Sequence, residues 1–461
     1  MKKKVDAVKR ARPLQGPQVP KLRPLKLPDH QVRKLANGMT VHLVPRGPLP
    51  LVAVRLVMRA GSAFDPLDRL GVGDFAARLF RRGAAGMSAD QISDTVDFVG
   101  ASVGGFANEE NVIMSLSTPS KHFEPMFELM SKVLLEPDFP ENELELARRR
   151  TLAALTNDLD DPGSLADRAL VRATWGTHPY AHETIGGKKD ITAMTRDDLK
   201  KFHRERLGPS IAHLYIVGAF DLDEVMKTVE RTLGAWKGGP AEGPIVPAWE
   251  GLARPGEVLI VDKPEQTQVQ MRIGGHGVRR GHPDHFPLVT MNTVLGGGFT
   301  SRLVTEIRVK RGLSYGAGSS FDMMSVAGTF TVSSFTRTES INQLIDVSLA
   351  EVKKMKERGP KKDELATVQR YISGLYPARL ETNEAVSGAI ADVVHYGLTD
   401  EWISDYRERI AAVTVKQATE AAGKHLFGGE RNIVLVGNAE ALRSKVEQYG
   451  PVTVLRPSEL E

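Results

Sequence analysis

The sequence predicts an α+β chain of two tandem homologous domains, each a mainly antiparallel sheet packed by helices, related by an internal pseudo-twofold repeat. Three observations carry this expectation. Helix-opening and strand motifs recur at an interval of about 219 residues. Each half holds a strand with period-two alternation that leads into helices and then a hairpin. A stretch dense in Gly and Pro separates the halves, as expected of a linker rather than a helix or strand.

Residues 1–29 read as a flexible, basic, Pro-rich arm, with nine Lys or Arg and one Asp in the first 26 residues. The first domain is placed at 30–235. Its strand Leu51–Met58 carries Val52, Val54, Leu56 and Met58 on one face, and Ser102–Phe106 with Asn111–Ser117 forms a hairpin. A long helix starts near Pro140. Thr195 then caps a helix with Asp198 in the reciprocal position, and an apolar strand follows at His213–Gly218. The linker is 236–256. The second domain, 257–445, repeats the order: Val269, Met271 and Ile273 alternate, and Ser314–Ser320 pairs with Gly328–Ser334. A long helix starts near Pro360, Thr414 caps with Gln417, and Asn432–Gly437 is the matching strand. Residues 446–461 read as a tail. Helices on one face of each sheet complete the expected architecture.

Composition narrows the function. With 61 basic and 57 acidic residues the chain is nearly balanced, and past the arm no basic stripe interleaved with aromatics marks a nucleic-acid surface. The absence of cysteine excludes disulfides, thiol nucleophiles and thiolate metal sites. No run of 18 apolar residues spans a membrane. The N-terminus has no apolar signal core, so export would require a signal already removed. The cysteine-free composition favours a bacterial periplasm, with the cytoplasm as the alternative. His178 and His182 flank a Pro, as do His282 and His285, and both pairs read as exposed loop histidines.

Gly71-Val-Gly-Asp-Phe-Ala-Ala-Arg-Leu-Phe-Arg-Arg-Gly83 resembles the signature helix of the M16 (pitrilysin and insulinase-like) zinc peptidase family. Trp175-Gly-Thr-His-Pro-Tyr180 and the run Leu295-Gly-Gly-Gly-Phe-Thr-Ser-Arg-Leu303, continuing to Tyr315, extend the resemblance over about residues 30–445. In that family the helix carries H-x-x-E-H: two His bind one zinc and the Glu acts as general base on the bound water. Laid on this chain, the frame puts Asp74 and Arg78 at the His positions, Ala77 at the base and Ala154 at the distal Glu ligand. All four chemistries are gone, and a guanidinium beside the metal position would repel zinc. The expectation is no metal or other cofactor in this chain.

The resemblance implies a role that remains. In two-chain members one subunit holds zinc and the other supplies an Arg/Tyr pair in the pattern R-x-x-x-G-L-x-Y, here Arg308 to Tyr315. Arg308 would end a helix, Gly312 would turn the chain, and Tyr315 would begin the next strand, so both side chains converge. Tyr315 would donate to a developing oxyanion and Arg308 would hold a substrate carbonyl. Gly297, Gly298 and Phe299 are a further candidate substrate surface, with a helix end as the alternative for the glycines. The expectation is therefore a zinc-less subunit, inactive as a peptidase alone, of a processing-peptidase-type heterodimer. Its partner would carry H-x-x-E-H and zinc, and a peptide or unfolded protein would be the substrate. A homodimer could form when the partner is absent. A purely structural subunit is the alternative from a different class.

Overall fold

The computed structural model describes residues 29–427 and 430–460; most of the arm expected at 1–29 lies outside them. The strands are β1 (Gln31–Lys34), β2 (Thr40–Pro45), β3 (Leu51–Met58), β4 (Gly83–Ala84), β5 (Met87–Ser88), β6 (Ser102–Ala107), β7 (Val112–Pro119), β8 (Ala212–Gly218), β9 (Val258–Asp262), β10 (Gln268–His276), β11 (Ala317–Met323), β12 (Gly328–Arg337), β13 (Arg431–Gly437) and β14 (Val452–Leu455). They build two six-stranded sheets and one small hairpin, β4–β5.

The first sheet runs β1-β2-β8-β3-β7-β6, and the second, read from its far edge, β14-β9-β13-β10-β12-β11. Five strands correspond one to one, down to a matching parallel pair in each half: β2 with β8, and β9 with β13. Each parallel pair is joined by a long excursion through the rest of the half, because a short turn cannot connect parallel neighbours. Only the outer strands differ. β1 is antiparallel to β2, whereas β14 is parallel to β9. The segment beyond 445 is thus no tail: it supplies the edge strand of the second sheet and buries Leu460. Both Thr caps form the reciprocal boxes expected at Thr195/Asp198 and Thr414/Gln417.

The expectation of helices on one face of each sheet is corrected. Val52, Val54, Leu56 and Met58 enter the first core, as the alternation requires. The opposite face of that sheet (Val44, Val57, Ile113, Tyr215, Val217) is also buried, in one cluster with Val386, Ile390 and Val393 of the helix Asn383–His395. That helix comes from the second half. Reciprocally, the helix Pro162–Trp175 of the first half lays Leu165, Ala166, Ala169, Leu170 and Ala173 on Leu259, Val261, Val434 and Val436 of the second sheet.

Polar contacts fix both exchanged helices. Arg272 binds Asp167 through both carboxylate oxygens, at 2.6 and 3.2 Å. Asn383 donates to the Leu51 carbonyl at 3.0 Å, and Ser117 to Glu384 at 2.5 Å. The 236–256 stretch contains no helix or strand, yet it is held against both halves. Val246 is buried, and the Trp249 ring lies 4.3 Å from Trp175 and 4.1 Å from His276. No helix among the described residues is long and apolar enough to cross a membrane.

Candidate functional site

The helix Val72–Leu79 begins at a buried carboxylate. Asp65 accepts the amides of Gly71 at 2.8 Å and Gly73 at 3.3 Å, which satisfies donors every helix N-terminus leaves open. Burial pushes Asp65 up to about 7, against the pull of those amides. The far side of the helix lies directly on β6. A Cβ on Gly105 would stand 2.5 Å from the Ala77 carbonyl oxygen, so only glycine permits this approach.

Asp74 is buried, and its carboxylate sits 2.7 Å from Nε of Arg78, one helical turn on. Burial raises the Asp74 pKa; Arg78 and the Ala107 amide oppose that rise. The Arg78 guanidinium packs 4.8 Å from the Phe75 ring centroid and donates to Thr151 Oγ1 at 3.3 and 3.4 Å. Ala77 is 1% exposed and part of the apolar core. Thr151 lies on the helix Glu141–Asp160, whose inward residues are Leu144, Thr151 and Leu155. Ala154, expected at the distal ligand position, points to solvent instead. Thr151, missed in the sequence, faces the pair. Its signal was the apolar spacing of that helix, which puts 144, 151 and 155 on one face.

These residues do not fit a zinc ion. One neutral methyl and an ion pair that neutralises its own carboxylate offer neither a ligand set nor a base. Where the metal's charge would stand, the chain has a guanidinium.

The second half presents a different cluster. A wide, π-type helix, Val304–Lys310, ends at Gly312, whose φ of +60° lets its amide reach the Arg308 carbonyl at 3.2 Å. The chain doubles back so that Arg308 lies 4.1 Å from the Tyr315 ring centroid and 5.2 Å from that of Phe299. Arg308 and Tyr315 therefore lie together and Phe299 joins them, although β11 starts at Ala317, two residues beyond Tyr315. Both aromatic rings are 77% exposed. Gly296 is buried at the end of the helical segment Thr293–Gly297, against Ser319, while Gly297 is exposed and Gly298 half-buried beside Phe299.

The histidine pairs depart from the exposed-loop expectation. His178 bonds the Pro247 carbonyl at 3.0 Å and His182 the Ser62 carbonyl at 3.2 Å, both half-buried. His285 is buried beside Trp402, and burial holds its pKa down to about 3. His282 meets Asp284 and His425, a partner far away in sequence.

A buried polar junction between the halves was not legible in the sequence. Glu110, in the β6–β7 turn, accepts from Tyr180 Oη, from the Ser325 amide at 3.2 Å and hydroxyl at 2.5 Å, and pairs with His395. Burial pushes Glu110 up, but the bonds from His395, Ser325 and Tyr180 outweigh it and hold the carboxyl at about 2.

Comparison with known proteins agrees with this anatomy. Residues 43–188 match the family description "Insulinase (Peptidase family M16)", and residues 193–372 match "Peptidase M16 inactive domain". The chain belongs to the M16 peptidase family. Among M16 relatives, an uncharacterized zinc protease, YmxG, of Bacillus subtilis is 24% identical over 76% of this chain and 85% of its own length. A protein described as a non-peptidase homolog, YmxG, of Helicobacter pylori is 23% identical over 85% of this chain and 90% of its own. The crystal structure of a peptidase M16 inactive domain from Pseudomonas fluorescens superposes with a TM-score of 0.84 at 27% identity, covering 89% of this chain and 98% of that one. With the zinc-helix positions filled as described, the chain is a non-catalytic M16 member.

Proposed function

We propose that this chain is the zinc-less subunit of a heterodimeric M16 peptidase, and that it completes the partner's active site in trans. The observation that carries the reading is the solvent-facing stack of Arg308 on Tyr315. Here the guanidinium lies between two aromatic rings while the Tyr ring stays open to a second molecule. The pair offers two donors, pre-aimed without further loss of side-chain entropy, to a peptide carbonyl presented by another subunit. Tyr315 Oη donates to the oxygen as negative charge develops, and Arg308 grips a neighbouring backbone carbonyl before and during the reaction. The substrate is an extended peptide or unfolded protein segment, held by strand addition, because backbone amides and carbonyls then provide affinity independent of sequence.

The test mixes this protein with a zinc-bearing M16 chain from the same organism and follows cleavage of a fluorogenic peptide. The mixture is expected to exceed either subunit alone. Tyr315→Phe should lower turnover about a hundredfold, the loss typical of one oxyanion donor, without changing subunit association. Arg308→Ala should also raise KM, because a ground-state contact goes too. Normal kinetics in both assembled variants would instead place the chain among structural subunits.

A further inference from the structure

Outside the sites described so far, His282, Asp284 and His425 offer three ligand atoms that all lie within 4.8 Å of one another. Among the described residues no other three His or acidic side chains converge in this way. His282 and Asp284 come from the turn before the helix His285–Asn292, and His425 is the last residue of the helix Val415–His425. His425 Nε2 is 2.8 Å from Asp284 Oδ2, and the His282 and His425 rings meet edge to face at 4.9 Å.

The ordinary explanation for an Asp here is helix capping. Asp284 occupies the N-cap, where a carboxylate normally accepts the amides of the first turn, yet its side chain makes no capping bond. It turns away from the helix and toward the two imidazoles instead. Lys424 Nζ stands 3.9 Å from Asp284 Oδ2, and Arg279 also acts on His282. These cations weaken a metal but do not block it, since Lys424 is 65% exposed and free to swing outward.

The geometry points to a binding site for a divalent transition-metal ion of the zinc, nickel or copper class, held by His282, Asp284 and His425. Two imidazoles and one carboxylate are the donor set such ions prefer over calcium or magnesium. Closing on the ion would separate His425 from Asp284 by a few tenths of an ångström and require His282 to release the Asp284 amide it now accepts at 3.0 Å. Those costs predict micromolar rather than nanomolar affinity. The ion would act as a staple between the end of one helix and the start of another.

Tag-free, chelator-treated full-length protein is titrated with ZnCl2 and separately with NiCl2 by calorimetry, with thermal unfolding recorded in parallel. One equivalent of micromolar affinity and a rise in Tm are expected. His425→Asn and His282→Asn should each weaken binding at least tenfold, and Asp284→Asn likewise, whereas His122→Asn should leave it unchanged. His425→Gln, whose amide nitrogen stands where Nε2 does, keeps the hydrogen bond to Asp284 and is the folding control for His425→Asn. Absence of one-equivalent binding, or binding that survives both His substitutions, would overturn the assignment.

Discussion

The ion pair that stands where the family's zinc helix carries its ligands can be dissected by a double-substitution cycle. Asp74 is 7% exposed at its side chain and Arg78 37%, so the carboxylate is dry while water reaches part of the guanidinium. Breaking a fully buried pair by removing one partner costs about 3–5 kcal/mol. Solvent at Arg78 reduces this, and Arg78→Met, which keeps the stem over Phe75, should cost about 1–3 kcal/mol. Asp74→Leu should cost about 1–2 kcal/mol, because Arg78 can turn to water but the Ala107 amide loses its acceptor. Removing both charges together should cost less than the sum, leaving an interaction of about 1–2 kcal/mol.

The pH dependence gives an independent sign. Burial already raises Asp74 above its unfolded value, and Arg78 opposes that rise. Without Arg78 the folded-state pKa climbs further, so the folded protein binds a proton that the unfolded chain, near about 3.9, does not. The Arg78→Met variant must therefore recover stability as pH falls from 7.5 toward 5. Urea unfolding at both pH values, followed by circular dichroism, measures each term. Additive single effects, together with a deficit that does not narrow at pH 5, would refute the account of this pair.

Two further outcomes follow from the junction and the exchanged helices. Glu110 is held at about 2, below its unfolded range, so its contribution is complete above about pH 4.5 and is lost as pH falls toward 2; Glu110→Gln should cost about 2–4 kcal/mol at pH 7 and flatten that acid limb of the stability curve. Leu165→Ala should cost about 2–5 kcal/mol, and amide exchange should show the lost protection in β10 and β13 of the second half, although Leu165 belongs to the first.

Much of this protein could be read from its residues because the signals are local. The period-two strand at 51–58, the Thr caps at 195 and 414 and the turn at Gly312 each depend on neighbours within a few positions. The repeat then doubled every such signal. The loss of zinc chemistry at 74, 77 and 78, and the pairing of Arg308 with Tyr315, are legible through the resemblance to the family's motifs, which fixes the residue types expected at those positions.

What packing decided involves partners that no local pattern specifies. Burial of both faces of each sheet depends on a helix supplied by the other half, and the sequence of Pro162–Trp175 shows an apolar stripe without naming the sheet that covers it. Thr151 rather than Ala154 meets Arg78 because helix phase sets which side chain points inward. Glu110 with His395, and His425 with His282, lie 285 and 143 positions apart, and only the closed chain brings them to contact distance. Hydrophobic periodicity fixes which face of an element is buried. Which other element covers that face is settled by shape and polar matching across the whole core, and therefore only by the tertiary structure.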